Sequence, residues 1–331
     1  MERSADTYML KETHFERQHS TPMPRYRKHR HTPLNSYVPK TSLFTFSCQS
    51  IACERHPHLN EDSMLIDEET GLAAAFDGVG GSAAGEIASQ AAARATLKGW
   101  QKIIQQHQEG RKAHTLLESN ESLNLCTILE QLIHDADEQV RTEGAYRAGT
   151  DDLATTVALA VLCRQPETRD YTMVYAHVGD SRIYLLHGQD PLKRLTNDDG
   201  LLAKLIENQI INDADALRID QAMHNAQLSE TEYSYFRLRG GITQALGGPL
   251  PPTIHVNQTS ISPGDRILLC TDGIHDNLTD EEIENTLRNG PRTALGRLLV
   301  ERSLHRSRQE RSTTVRAKPD DMTAVVMTCR F

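Results

Sequence analysis

Aromatic residues are scarce in this chain. They make up 5% of its 331 residues, with a single tryptophan, so a core must be built from aliphatic and small side chains. No apolar run approaches the roughly 20 residues that span a bilayer, and no membrane span is expected. The N-terminus is polar and lacks the apolar stretch of a signal peptide. An excess of basic residues is missing too. The formal net charge is −9, which argues against a general nucleic-acid binder. The six cysteines include no CxxC pair. Cys163, Cys270 and Cys329 sit in apolar runs and read as small core residues, so a reducing cytoplasm is the expected compartment. No G-x-x-x-x-G-K-S/T segment occurs, which disfavours a P-loop ATPase. GVGGSAAG makes a poor dinucleotide fingerprint, because its first glycine follows an aspartate rather than an apolar strand end.

The length suits one large domain or two small ones. Residues 1–40 are rich in Arg, His, Thr and Pro and read as a disordered basic arm, either without a specific role or docking a partner. Order is expected over 41–331. SLFTFS, SMLID and LAAAFD are β-prone. Ala84, Ile87, Ala88, Ala91, Ala92 and Ala95 recur at helical spacing and predict a small-residue face packed on a sheet. A polar loop over 107–120 separates this helix from a second one carrying Leu125, Leu129, Leu132, Ile133, Ala136 and Val140. LATTVALAVL, YTMVYAHVG and SRIYLLH read as strands, with Gly179-Asp180 a hairpin-turn candidate between the last two. Residues 200–237 look like a polar, helical flap inserted between strands. TIHVNQTSI and RILLCTD are strands, DEEIENTLRNG and RTALGRLLVERSL helices, HRSRQERSTTVRAK a flexible basic loop, and DMTAVVMTCR the final strand. The order reads β-β-α-α-β-β-β-insert-β-β-α-α-β. Paired helices between runs of strands predict an α+β sandwich rather than a doubly wound parallel sheet.

The informative pattern is acidic. Glu61-Asp62, Asp77, Asp272 and Asp320 each stand at the end of an apolar run, where several strand ends can converge. Converging carboxylates repel one another and are costly to desolvate, so they persist where they bind a cation. Oxygen ligands alone point to Mg2+ or Mn2+ rather than zinc. Taken singly, each carboxylate reads more readily as a turn or helix cap; only the series argues for a metal.

The segments NED, FDGVGG, HVGDSR, ITQALG, CTDGIHD and DDMT stand in the order found in metal-dependent protein phosphatases of the 2C type (PP2C, or PPM). The chain resembles that family, in its bacterial branch, from about residue 44 onward. The resemblance implies a four-layer αββα sandwich, with a central antiparallel β-sandwich flanked by helix pairs. It implies two Mn2+ or Mg2+ ions at one end. Asp77 would bridge them, the Gly78 carbonyl would bind one, and Asp272 and Asp320 the other. Glu61 would act through water, with Asp62 beside it. A third, weaker metal position would use Asp180, Asp272 and Asp276. The implied reaction is hydrolysis of phosphoserine and phosphothreonine by a metal-activated water, with no protein nucleophile. Gly80-Gly81 would let backbone approach the site.

The chain departs from the family pattern at several points. Pro57 stands where the family carries a phosphate-gripping Arg, and Arg55 is the candidate replacement; its alternative is a surface charge. Val79 replaces a His that serves many eukaryotic members as general acid. His56 and His58 could substitute or could be solvated loop residues. Asp321 stands in place of an Asn, and tighter metal binding or a swapped ligand role is expected there. Ala154 replaces the Gly of a GTT segment. The expected partners are phosphorylated proteins, in opposition to a Ser/Thr kinase, with a monomer as the default state. The rival readings are a non-catalytic phosphatase-like scaffold that binds through the basic arm, and a metallohydrolase of small phosphorylated molecules.

Overall fold

The run LAAAFDGV is apolar at successive positions, as befits a strand covered on both faces. In the computed structural model it forms β3 (Leu72–Val79). Leu72, Ala74 and Phe76 face one apolar cluster, and Ala73 and Ala75 face another. The structure describes residues 44–79, 83–109, 124–148, 153–164 and 171–330. The N-terminal arm and Gly80-Gly81 lie outside these residues, as does most of the predicted loop over 107–120.

Two antiparallel sheets form the centre. One is β1 (Phe44–Ile51), β11 (Met322–Cys329), β10 (Arg266–Cys270), β7 (Arg182–Leu186) and β8 (Lys193–Arg194), in that spatial order. The other runs β2 (Asp62–Asp67), β3, β5 (Val157–Arg164), β6 (Tyr171–Val178) and β9 (His255–Ile261), with the short β4 (Ala154–Thr155) also paired to β3. Val325, Met327, Ile267 and Leu269 meet Ala73, Ala75, Ala158 and Ala160 between the sheets.

Helices cover both outer faces. α1 (Ala83–Glu109) and α2 (Leu125–Glu143) pack on the second sheet. Ala88, Ala91 and Ala92 let α1 lie close, and the Trp100 indole N–H donates to Thr70 Oγ1 at 2.8 Å. α6 (Asp272–His275), α7 (Asp280–Asn289) and α8 (Leu295–Ser307) cover the first sheet. Each fully buried Leu, Ile or Phe in these layers contributes about 1.5–3 kcal/mol. The result is the expected α+β sandwich of four layers. No helix among the described residues is long and apolar enough to cross a membrane.

Three expectations need correction. SLFTFS stands as its own strand, so three strands rather than two precede the helix pair. Gly179-Asp180 is not a hairpin turn. β6 and β7 lie in different sheets, and the left-handed φ of 92° at Gly179 carries the chain across. The basic tract after α8 is anchored. Arg316 is fully buried and its guanidinium donates to the backbone carbonyls of Asp220, His275 and Leu278.

The polar insert consists of α3 (Leu201–Glu207), α4 (Asp213–Asp220) and α5 (Glu230–Leu238). Ile219, Ala222 and Phe236 give it a small apolar cluster. Ser229 and Glu232 form a reciprocal capping box at the start of α5, a pattern readable in SETE. Asp220 ties the insert down: its carboxylate is 3.2 Å from Arg182 and 3.6 Å from Arg194.

Candidate active site

Antiparallel register decides which strand ends meet. Asp62 opens β2 and pairs directly with Asp77 near the end of β3. Like charges directly opposite are destabilising unless something compensates. In the other sheet, Cys270 at the end of β10 pairs with Ala324 of β11. Asp272, just beyond β10, and Asp320, just before β11, therefore share one end. Asp180, on the crossing from β6 to β7, arrives there as well.

The electrostatics report the convergence. Burial, then the charges of Asp272, Asp62, Asp320 and Asp180, holds the Asp77 carboxyl well above the usual carboxylate range. Burial raises Asp62 in the same way, reinforced by Asp321 and Asp320. Asp180 is raised by burial and by Asp272. Burial raises Asp272 too, although Lys318 opposes the shift. Buried carboxylates that face one another in this way favour a cation among them.

Backbone packing shapes the acidic end. A Cβ on Gly78 would lie 2.2 Å from the Gly85 carbonyl oxygen and 2.5 Å from that of Glu61. A Cβ on Gly85 would lie 2.5 Å from Glu61 Oε1 and 2.8 Å from the Gly78 carbonyl oxygen. Only glycine at both positions lets the first turn of α1 press against Glu61 and the Gly78 carbonyl. Carboxylates and a carbonyl packed this way are an oxygen donor set that fits hard divalent cations.

Other side chains fix this end. The Thr271 hydroxyl donates to Asp62 Oδ2 at 2.8 Å. The His275 ring, through Nε2, donates to the Asp180 carbonyl at 3.0 Å. Asp321 is buried, and its carboxylate accepts the backbone N–H of Cys53 and of Glu61, each at 2.6 Å. The expected metal role for Asp321 meets a competing occupation, because both of its oxygens already serve the loop that carries Glu61.

Lys318 is the residue that sequence reasoning missed. Its ammonium contacts Asp272 Oδ2, and lies 2.8 Å from Asp276 Oδ2 and 3.0 Å from Asp320 Oδ2. Burial disfavours its charge, yet these three carboxylates outweigh it and hold the ammonium well above its usual range. Asp276 is also 3.2 Å from Arg239. Burial works against its charge, but Arg239 and Lys318 keep it below the usual carboxylate range. Arg55 is exposed on the turn after β1 and makes no ion pair among the described residues. His56, on the same turn, donates from Nδ1 to the Leu59 carbonyl at 2.9 Å and lies 3.6 Å from Asp321. His58 is exposed.

A second group was also missed. One ligand atom each from His177, Asp199 and His255 lies within 4.8 Å of the others, an arrangement that can hold a metal ion. Only the cross-strand register of β6 and β9 reveals it, by pairing His177 with His255.

Comparison with known proteins places the chain among relatives. Residues 52–315 match the family model described as Protein phosphatase 2C. The chain is 24% identical over 235 residues to the serine/threonine phosphatase stp of Listeria innocua, covering 70% of this chain and 79% of that protein. It is 28% identical over 237 residues to the serine/threonine protein phosphatase PstP of Mycobacterium tuberculosis, covering 69% of this chain and 36% of that protein. A crystal structure of the M. tuberculosis phosphatase PstP/Ppp superposes with a TM-score of 0.63 at 23% identity, covering 87% of this chain and 99% of that one. A structure of the PstP catalytic domain in complex with two manganese ions superposes with a TM-score of 0.59 at 22% identity, covering the same shares of the two chains. At these identities the structural likeness speaks for the fold.

Proposed function

The chain belongs to the protein phosphatase 2C family, and from that membership we propose that it is a metal-dependent serine/threonine protein phosphatase. The observation that carries this reading is the convergence of Asp62, Asp77, Asp180, Asp272 and Asp320 on one end of the sandwich.

In this reading Asp77, Asp272, Asp320 and the Gly78 carbonyl hold two Mn2+ or Mg2+ ions, with Glu61 and Asp62 alongside. The related PstP structure with two manganese ions supports the count. Such cations lower the pKa of water and neutralise charge on the phosphoryl oxygens. The chain's own residues do the positioning. The Thr271 hydroxyl orients Asp62, the Asp321 carboxylate holds the Glu61 backbone, and the His275 ring holds the backbone of Asp180. Asp180, Asp272 and Asp276 would form the third, weaker position. Lys318 contacts the last two, so that position starts with a cation of the protein's own.

Arg55 is the proposed grip on substrate phosphate, because it stands exposed on the turn leading to Glu61. The proposed substrates are phosphoserine and phosphothreonine proteins, modified by an opposing kinase. The helices between β8 and β9 would shape the choice among them. Residues 1–40 would be a separate arm.

Phosphate release from a phosphothreonine peptide, followed across a Mn2+ titration, tests the reading with Asp272→Asn alongside. Turnover that needs Mn2+ and disappears in the variant is expected. A wild-type protein inactive at millimolar Mn2+ would overturn it in favour of the scaffold.

A further inference from the structure

We propose that His177, Asp199 and His255 form a second metal site, separate from the carboxylate group and selective for a borderline transition ion such as Zn2+.

The donor set differs in kind from the acidic end. Two imidazoles with one carboxylate suit zinc and its neighbours, whereas Mg2+ and Mn2+ favour sets of oxygens. The ligand atoms lie within 4.8 Å of one another, and tetrahedral bonds of about 2 Å would draw them to about 3.3 Å and turn the stacked rings so that their in-plane lone pairs converge. The two rings stack with centroids 4.8 Å apart, on residues directly paired across β6 and β9. They line a cavity of about 330 Å3 together with Asn197, Asp199, Lys204 and Glu207. Lys204 and Glu207 pair with each other at 2.8 Å.

The surrounding hydrogen bonds prepare these ligands. His177 Nε2 lies 2.8 Å from the Asn197 carbonyl, so that nitrogen carries the proton and donates it. The other nitrogen, Nδ1, keeps its lone pair and has no hydrogen-bond partner, although the residue is only 4% exposed. A metal ion would take either this bare nitrogen or, by displacing the Asn197 carbonyl, Nε2. Asp199 is oriented as well. Its Oδ2 accepts the Gly179 N–H at 2.9 Å, and its Oδ1 lies 2.9 Å from His255 Nε2. A metal at Oδ1 would replace the last contact and leave the first. Through Gly179 the site touches the crossing that delivers Asp180 to the acidic end, so a bound ion would tie β6, β9 and that crossing together.

The test strips the full chain with EDTA, titrates it with Zn2+, and repeats the titration with Co2+ as a spectroscopic reporter. Wild type, His255→Ala and Asp272→Asn are compared. The His255 side chain is 39% exposed, so its removal should leave the fold intact, and metal-free melting curves check this. The expected result is a Zn2+ ion held by wild type and Asp272→Asn, with affinity at least ~tenfold weaker in His255→Ala. Visible Co2+ bands and a Zn2+-dependent rise in melting temperature should follow the same pattern. Equal Zn2+ affinity in wild type and His255→Ala would overturn the site. So would loss of Zn2+ in Asp272→Asn, which would place the ion at the carboxylates. None of these outcomes depends on phosphatase activity.

Discussion

Asp321 Oδ2 accepts the backbone N–H of Glu61 at 2.6 Å, while its Oδ1 accepts that of Cys53 at the same distance. One buried carboxylate on the approach to the last strand thus holds both ends of the turn that presents Glu61. An amide side chain offers one acceptor oxygen where the carboxylate offers two. Asp321→Asn should therefore leave one of these backbone donors without its partner, at a cost of about 1–3 kcal/mol. Urea denaturation would measure this, with a Mn2+ titration beside it. Unchanged stability together with altered Mn2+ affinity would return Asp321 to the role of ligand.

An ion pair away from the acidic end sets a pH dependence. His187 Nδ1 lies 2.9 Å from Asp265 Oδ2, and this hydrogen bond raises the imidazole pKa. A raised folded-state value means that the pair's contribution is fully present below the ordinary value of about 6.5 and is lost as pH rises through the raised one. The side chain is 48% exposed, so the effect stays below about 1 kcal/mol. His187→Gln should lower the urea midpoint at about pH 5.5 and leave it unchanged near pH 9. A difference that grows toward high pH would contradict the pairing.

What could be read from sequence depended on how local each signal was. Asp77 and Asp272 stood out because each follows an apolar run that had to be a strand, and strand ends in a sandwich converge. The helix faces were legible for the same reason, through the spacing of Ala88, Ala91 and Ala92. Lys318 was hidden because a lysine in a basic tract looks solvated, and two of its carboxylate partners, Asp272 and Asp276, stand on α6 and its cap, far back in the chain. Arg316 was hidden in the same tract. Gly179-Asp180 looked like a hairpin because a crossing between sheets needs the same left-handed glycine as a tight turn. His177 and His255 are far apart in sequence, and only the register of β6 against β9 makes them neighbours.

Gly85 gives a test of the backbone packing at the acidic end. A methyl group there would stand 2.5 Å from Glu61 Oε1 and 2.8 Å from the Gly78 carbonyl oxygen, closer than Cβ contacts allow. The position is inside α1, where alanine is the better helix former by about 1 kcal/mol. Gly85→Ala should thus keep the helix while displacing Glu61 and the Gly78 carbonyl. Calorimetric Mn2+ titration should show at least ~tenfold weaker binding, equivalent to about 1.4 kcal/mol, with little change in α-helical circular dichroism. Mn2+ binding that survives intact would remove both groups from the metal site.

Lys318 decides how much positive charge the acidic end holds before any divalent ion arrives. Its ammonium touches Asp272 and lies 2.8 Å from Asp276 and 3.0 Å from Asp320. An ion binding at the third position must displace this ammonium or share carboxylates with it. Lys318→Met removes the charge and keeps much of the aliphatic stem. Without metal, three carboxylates then face one another with less compensation, so the stripped variant should be less stable than stripped wild type. With metal, an additional Mn2+ should bind more tightly, by about tenfold or 1.4 kcal/mol, because the competing cation is gone. Equilibrium dialysis against Mn2+ and thermal melts in EDTA read the two effects separately. If the variant binds no extra Mn2+ and melts in EDTA where wild type does, Lys318 is a surface lysine that does not compete for the third position.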